Sequence, residues 1–282
     1  MSTTRQIGNG LESVAHDLAR RVLGRRRLPV RELRNKIVLG RSAIALRRFE
    51  DAEVERLAGQ LTLPRARVAV VTATYRRPDL LQASVRSALA QTVRDIVVIV
   101  VDDGGGLPEL PDDPRLGSCS LSVNTAVLGV VLNAGIRLTS STYVAFLDDD
   151  NEWEPEHLEV ALAALEADRP GRPPGLVYTA LRRSFPDGRL MDVLSRPFDR
   201  RLLAREGFVD TNSLVLRRFP DLHFSRIRRP IGVRPREDWE LVYRLSRRMP
   251  VEHVPVPTVR YQVNPDSYYT NWASVLEADG QE

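Results

Sequence analysis

Three consecutive carboxylates, Asp148, Asp149 and Asp150, follow directly on the apolar run Tyr143-Val144-Ala145-Phe146-Leu147. Adjacent acids repel and Asp is a poor strand former, so stability alone gives no reason for this placement. A cation held between the acids and a phosphate-bearing ligand does. Hard divalent ions such as Mg²⁺ take oxygen ligands, commonly one or two carboxylates plus phosphate oxygens. A plainer reading makes Asp150 or Asn151 the cap of a helix within Glu152-Trp153-Glu154-Pro155-Glu156-His157-Leu158, which accounts for one acid and not three. Two more acidic pairs stand apart, Asp102-Asp103 after Ile96 to Val101 and Glu237-Asp238 before Trp239. Asp103 also reads as a turn acid ahead of Gly104-Gly105-Gly106. Glu237-Asp238 also suits a helix N-terminus, where the macrodipole favours negative charge. The loop Thr72-Ala73-Thr74-Tyr75-Arg76-Arg77-Pro78 adds a ring and a guanidinium. Tyr75 could stack on a nucleobase or be an ordinary half-buried ring, and Arg77 could meet phosphate.

These residues need a frame. From Ala66 the chain alternates strand-like and helix-like segments. Val68 to Thr72 reads as a buried strand, Arg77 to Gln91 as a helix with Pro78 near its start, and Ile96 to Val101 as the next strand. A short strand is expected at Leu121 to Val123, a helix at Val127 to Leu138, the acid-ended strand at Tyr143 to Leu147, and a helix at His157 to Ala167. This β-α-β-α order indicates a parallel, doubly wound sheet, which binds ligands outside the carboxyl ends of its strands. Beyond Arg169 the pattern loosens. Leu176 to Phe185, a turn at Pro186-Asp187-Gly188 and Leu190 to Val193 suggest a hairpin. Phe208 to Leu216 reads as a strand, Glu237 to Arg247 as a helix and Val254 to Val263 as closing strand.

The 282 residues hold one large domain, or one domain plus a small extension. No apolar run approaches the roughly 20 residues that span a bilayer, and the N-terminus lacks the apolar core of a secretory signal. With Cys119 alone, neither an internal disulfide nor a cysteine metal cluster can form. Cytoplasmic residence is the default expectation. Residues 1–50 carry 12 Lys/Arg against 4 Asp/Glu, although the whole chain is only +4. In residues 1–65 a helical face is expected at Leu11, Val14, Ala15, Leu18 and Val22, and a second helix near Asp51 to Leu61. Such a basic helical extension can pack on its own domain, pair two subunits, or lie on the inner membrane surface as a peripheral contact. The apolar residues Ile37-Val38-Leu39 and Ile44-Ala45-Leu46 also need cover, which favours packing, with a homodimer as corollary.

The chain from about residue 66 to residue 263 resembles a family 2 glycosyltransferase with the GT-A fold. The residues that carry the resemblance are Val70 to Leu81, Ser87 to Gln91, Ile99 to Gly104, Asn133-Ala134-Gly135-Ile136, Val144 to Pro155 and Arg236 to Leu241. Each fragment is weak alone, and their order over roughly 200 residues makes them specific. The resemblance implies an α/β, Rossmann-like and mostly parallel sheet flanked by helices, with residues 66–282 as catalytic domain. It implies a metal-dependent, inverting transfer from a nucleoside diphosphate sugar, a UDP-sugar first, to an unidentified acceptor hydroxyl, with Mn²⁺ or Mg²⁺ as cofactor and no nucleic acid partner. Asp238 would be the catalytic base and Asp150 the metal ligand. Tyr75 and Asp102 would hold the nucleobase, Ala73 and Arg77 would lie along the nucleotide, and Asp149 would touch ribose or sugar. Asn212, Glu237 and Trp239 are expected near the acceptor. Two departures stand out: Leu132 occupies a position where many members carry Arg, and Asn264 stands where many place a metal-binding His. A sugar-nucleotide nucleotidyltransferase is the rival enzyme, but it needs a glycine-rich basic first loop, and Thr72 to Pro78 has no glycine. A non-catalytic nucleotide-sugar-binding scaffold is the rival outside catalysis.

Overall fold

A computed structural model describes residues 27–168, 170–230 and 233–263. The expected helical face from Leu11 to Val22 and the position of Asn264 lie outside them. The elements are α1 (Arg27–Ala58), β1 (Ala66–Thr74), α2 (Pro78–Leu89), β2 (Ile96–Asp102), β3 (Leu116–Ser120), α3 (Leu128–Leu138), β4 (Ser141–Phe146) and β5 (Asn151–Trp153). They continue with α4 (His157–Glu166), β6 (Leu176–Ser184), β7 (Leu190–Leu194), α5 (Arg200–Leu203), a 3₁₀ turn (Thr211–Ser213), β8 (Leu214–Arg217), α6 (Glu237–Leu245) and β9 (Val251–Gln262).

One sheet holds all the strands in the order β3-β2-β1-β4-β8-β6-β9-β5, with β7 beside β6. Strands β3, β2, β1 and β4 are mutually parallel. The central strands β1 and β2 are rich in Val, Ile and Ala and are buried on both faces, as parallel strands covered by helices must be. Alternate residues feed opposite sides of the sheet. Val71, Ile99, Val101, Val144 and Phe146 join a cluster with α3 and α6, whereas Val70, Val98, Val100, Tyr143 and Ala145 join one with α2 and α4. The remaining half departs from the expected doubly wound sheet. There β8 runs antiparallel to both β4 and β6, β6 runs parallel to β9, and β5 runs antiparallel to β9.

Local differences have local causes. The third strand is Leu116–Ser120 rather than Leu121 to Val123, because Gly117 admits close cover from Leu63: a Cβ there would lie 2.3 Å from Leu63 Cδ2. The expected hairpin forms as β6 and β7. The expected strand from Phe208 is confined to Leu214–Arg217, because the Asp210 side chain accepts from Asn212 N and turns the chain into 3₁₀ form first. Asn151 opens β5 rather than a helix, and the helix begins at His157, so the capping account of the three acids fails. Helix α1 is continuous over 32 residues instead of restarting near Asp51. Pro29 falls in its first turn, where a missing N–H costs no hydrogen bond.

Helix α1 packs on the domain with three of its acids, Glu32, Glu50 and Glu53, inward. Glu50, fully buried, accepts from Arg226 Nε and Nη2 at 2.7 Å each and from Arg137 Nη1 at 3.0 Å. Asn133 Nδ2 reaches the same carboxylate at 3.1 Å. Glu53 accepts from Ser122 N and Oγ beyond β3, at 2.8 and 2.9 Å. Near the start of the helix, Glu32 pairs with the buried Arg229 at 2.9 Å.

Candidate active site

The carboxyl ends of β1, β2 and β4 open on one crevice. Thr74, the last residue of β1, donates its hydroxyl to Asp149 Oδ2 at 2.8 Å. Arg77 Nη1 bonds Asp149 Oδ1 at 3.3 Å and Asp150 Oδ2 at 2.9 Å. Its position follows from Pro78, which starts α2 and holds Arg77 outside the helix as N-cap. Asp149 is buried at 5% exposure, while the Asp150 side chain keeps 26%. Burial pushes the Asp149 carboxyl up from its ordinary value, against the pull of Thr74 and Arg77.

Asp148 is engaged instead by Asn212. Its backbone N–H donates to Asn212 Oδ1 at 2.6 Å, and its Oδ2 accepts from Asn212 Nδ2 at 2.8 Å. The same amide donates to Asp210 Oδ1 at 2.8 Å. Asn212 thus ties the end of β4 to the turn before β8. Burial first, then the charges of Asp210 and Asp150, push the Asp148 carboxyl well above the carboxylate range. Asp210 is raised too, by burial and by Asp150, with its bonds from Asn212 opposing.

Asp238, in the first turn of α6, completes the group. Burial raises its carboxyl to about 7, with the negative charge of Asp210 as the next cause; the N–H of Trp239, at 2.7 Å, opposes the shift. Glu237, its neighbour, lies 3.9 Å from Arg229 Nη1. The crevice therefore gathers acids from three places in the chain: Asp148 to Asp150, Asp210 and Asp238. Asp210 was not among the residues expected from sequence. It is a lone acid in Val209-Asp210-Thr211, and only the antiparallel return of β8 beside β4 brings it to the others.

At the far end of the crevice, Asp102 closes β2. Its Oδ2 accepts from Gly105 N and Gly106 N at 2.8 Å each and from Ser120 Oγ at 2.5 Å. Its Oδ1 is buried without a hydrogen-bond partner among the described residues, an acceptor still to be satisfied. Tyr75 is 38% exposed and lies against the same loop. A Cβ on Gly105 would come within 2.9 Å of the Tyr75 ring, so only glycine lets ring and loop meet. The Arg76 guanidinium carbon sits 5.1 Å from the centre of that ring. Asp103 spends both oxygens on Thr125 and Ala126, as a turn acid does.

Three of the expected residues, and Leu132 with them, are buried. Asn212 is fully buried and bonded to Asp148 and Asp210, so it supports the acids rather than facing an acceptor. Trp239 is 5% exposed, its Nε1 donates to Leu203 O at 2.5 Å, and its ring packs on Gly207, so it is a core residue. The methyl of Ala73 belongs to the core cluster rather than to the crevice. Leu132, at 1% exposure, also points into the core. Glu237 is partly exposed. His157, stacked on Trp153 and bonded to Thr258, is driven down to about 3 by burial and is a neutral core residue.

A divalent metal is tested by these donors. Among the described residues no group of three His, Cys, Asp or Glu side chains is arranged to hold an ion. What fits is a hard cation carried by the partly exposed Asp150 carboxylate and completed by the oxygens of a phosphate ligand. Asp150 Oδ1 is bonded by Asn151 at 2.9 Å and Oδ2 by Arg77, so Arg77 would yield that oxygen or share it.

Comparison with known proteins agrees with this geometry. The model of glycosyl transferase family 2 matches residues 69–219, which include both strands that lead into the acids. The UDP-Glc:alpha-D-GlcNAc-diphosphoundecaprenol beta-1,3-glucosyltransferase WfaP of Escherichia coli is 25% identical over 107 residues, covering 36% of this chain and 42% of that enzyme. The chain spans less than half the length of the curated relatives it matches. Among solved structures, S. aureus TarS 1-349 in complex with UDP-GlcNAc superposes with a TM-score of 0.52 at 14% identity, over 72% of this chain and 60% of that one. The mannosyltransferase PcManGT of Pyrobaculum calidifontis, in complex with GDP-Man and Mn2+, gives 0.50 at 16% identity, over 83% and 71%. These two likenesses establish the fold, an α/β sheet of GT-A type with an N-terminal helix.

Proposed function

Because the chain belongs to glycosyl transferase family 2, we propose that it moves a sugar from a nucleoside diphosphate donor to an acceptor hydroxyl with inversion. The observation that carries this reading is the division of labour among the crevice acids. Both are partly exposed, but Asp150 sits beside a guanidinium, whereas desolvation and the charge of Asp210 raise Asp238 to about 7. A base poised near neutral pH is what removal of a hydroxyl proton requires.

The donor base lies between Tyr75 and Asp102, whose free Oδ1 accepts an N–H from uracil or guanine. A UDP-sugar is the first choice, since WfaP is named for UDP-Glc and the TarS complex holds UDP-GlcNAc. Arg77 carries positive charge to the diphosphate, and Asp149 is directed at ribose or sugar. Asp150 would hold Mg²⁺ or Mn²⁺ together with the donor phosphates, and the bound ion would neutralise charge on the departing diphosphate. Asp238 takes the acceptor proton as the acceptor oxygen attacks the anomeric carbon and the diphosphate leaves from the opposite face. One base and one displacement invert the configuration, with no carboxylate nucleophile.

The test is donor binding by calorimetry, with and without Mn²⁺, alongside product formation. Asp150→Ala is expected to lose the metal-dependent part of donor affinity and all transfer. Asp238→Asn is expected to keep donor affinity and to lose about 10²-fold or more in turnover. Wild-type turnover in Asp238→Asn, or an equal loss of donor affinity, would remove it from the role of base.

A further inference from the structure

The outward face of α1 has no function in the transfer reaction, and its pattern is unusual. Leu33, Ile37 and Ile44 stand at i, i+4 and i+11, with Gly40 between them, on one line of the helix. They are exposed by 60%, 74% and 62%. Arg34, Arg41 and Arg48 run along one side of this line at spacings of seven, and Lys36 and Arg47 run along the other. All five cations are exposed, and none forms an ion pair among the described residues. No acid occurs between Glu32 and Glu50, and both of those carboxylates are turned inward to Arg229 and Arg226. From Glu32 to Glu50 the helix thus sorts its charges, with those two anions against the domain and cations around an apolar line outside; Asp51 and Glu55, further on, are exposed.

We propose that this face of α1 docks the protein on an anionic bilayer surface, the apolar line entering the headgroup boundary and the flanking cations meeting lipid phosphates. Charge decides between this occupant and a second copy of the chain. A two-fold pairing would bring the same face against itself and set five unpaired cations against five. A lipid surface of opposite sign satisfies both features at once: apolar burial and attraction of each Lys or Arg near the plane. No described helix is long and apolar enough to cross a membrane, so the contact is peripheral. The inference is independent of donor chemistry, since none of these residues lines the crevice.

The experiment is sedimentation of the full chain with vesicles of phosphatidylglycerol and phosphatidylcholine in equal parts, and with vesicles of phosphatidylcholine alone. Two variants accompany it. One carries Leu33→Ser, Ile37→Ser and Ile44→Ser; the other carries Arg34→Gln, Arg41→Gln and Arg48→Gln. Circular dichroism and melting temperature check that both fold like the wild type. The wild type is expected to bind the anionic vesicles only, and each variant to lose at least about tenfold in partitioning, the charge variant most at low salt. The proposal is overturned if the wild type ignores anionic vesicles, or if both variants bind as well as it does. It is equally overturned if the wild type sediments as a dimer that the apolar variant dissolves.

Discussion

Asp210 and Asp238 come from different elements, and the charge of Asp210 makes Asp238 harder to ionise. The raised value of Asp238 depends first on burial and next on Asp210, so removing that neighbour's charge must lower it. For the free enzyme, kcat/KM should rise with pH through about 7 as the Asp238 carboxyl ionises, then level off. In Asp210→Asn the same rise should occur at lower pH. The new Asn keeps an oxygen for the bonds from Asn212, so the turn need not be lost. Measured pH profiles of the two proteins decide it. An unmoved profile would mean that the titrating group is not Asp238 or does not sense Asp210. Asp149, Asp150 and Asp238 could be picked from the sequence because each stands in an acidic run beside apolar residues. Asp210 could not, since its meaning lies in partners some 60 residues away, Asp148 and Asp150. Asn212 was noticed too, but a polar residue within the polar run Asp210 to Ser213 does not reveal whether it faces ligand or protein.

At the level of elements, α1 and the segment leading to α6 are joined by Arg229. Its side chain has no exposure, and it bonds Glu32 of α1 while lying 3.9 Å from Glu237, the neighbour of Asp238. Removing one partner of a buried ion pair leaves the other charge uncompensated, at a cost of about 3–5 kcal/mol. Arg229→Ala is therefore expected to lower stability by that order, read as a shift in urea midpoint with an unchanged slope. The double change Arg229→Met with Glu32→Leu should recover much of the loss. If Arg229→Ala unfolds at the wild-type midpoint, the pair does not hold α1. The helices and the parallel strands β1, β2 and β4 were legible because their apolar patterns are long and clean, whereas the short, mixed β3 was not. The connections of α1 were not. Its charged residues look solvated in sequence, and nothing local shows that Glu32, Glu50 and Glu53 face inward while Arg34, Arg41 and Arg48 face outward.

Across the whole molecule, the sheet divides into a parallel half continuous in sequence and a mixed half assembled from later strands. The first half was readable from the alternation of strands and helices. The second was not, because β8 inserts between β4 and β6 by a long return that no local pattern specifies. One consequence concerns the edge of the parallel half. The chain's single thiol, Cys119 of edge strand β3, lies beneath the last turns of α1, where Arg56 Nη2 bonds Ser120 O at 3.0 Å. Burial holds this thiol up to about 12, so it is unreactive while covered. Its reaction with a disulfide dye is then a stopwatch for one event, the lifting of α1 from β3. In the wild type that stopwatch should run slowly and as a single exponential. In Arg229→Ala it should run faster by the factor that the helix has been loosened, and anionic vesicles that hold the helix from outside should leave a thiol signal of their own.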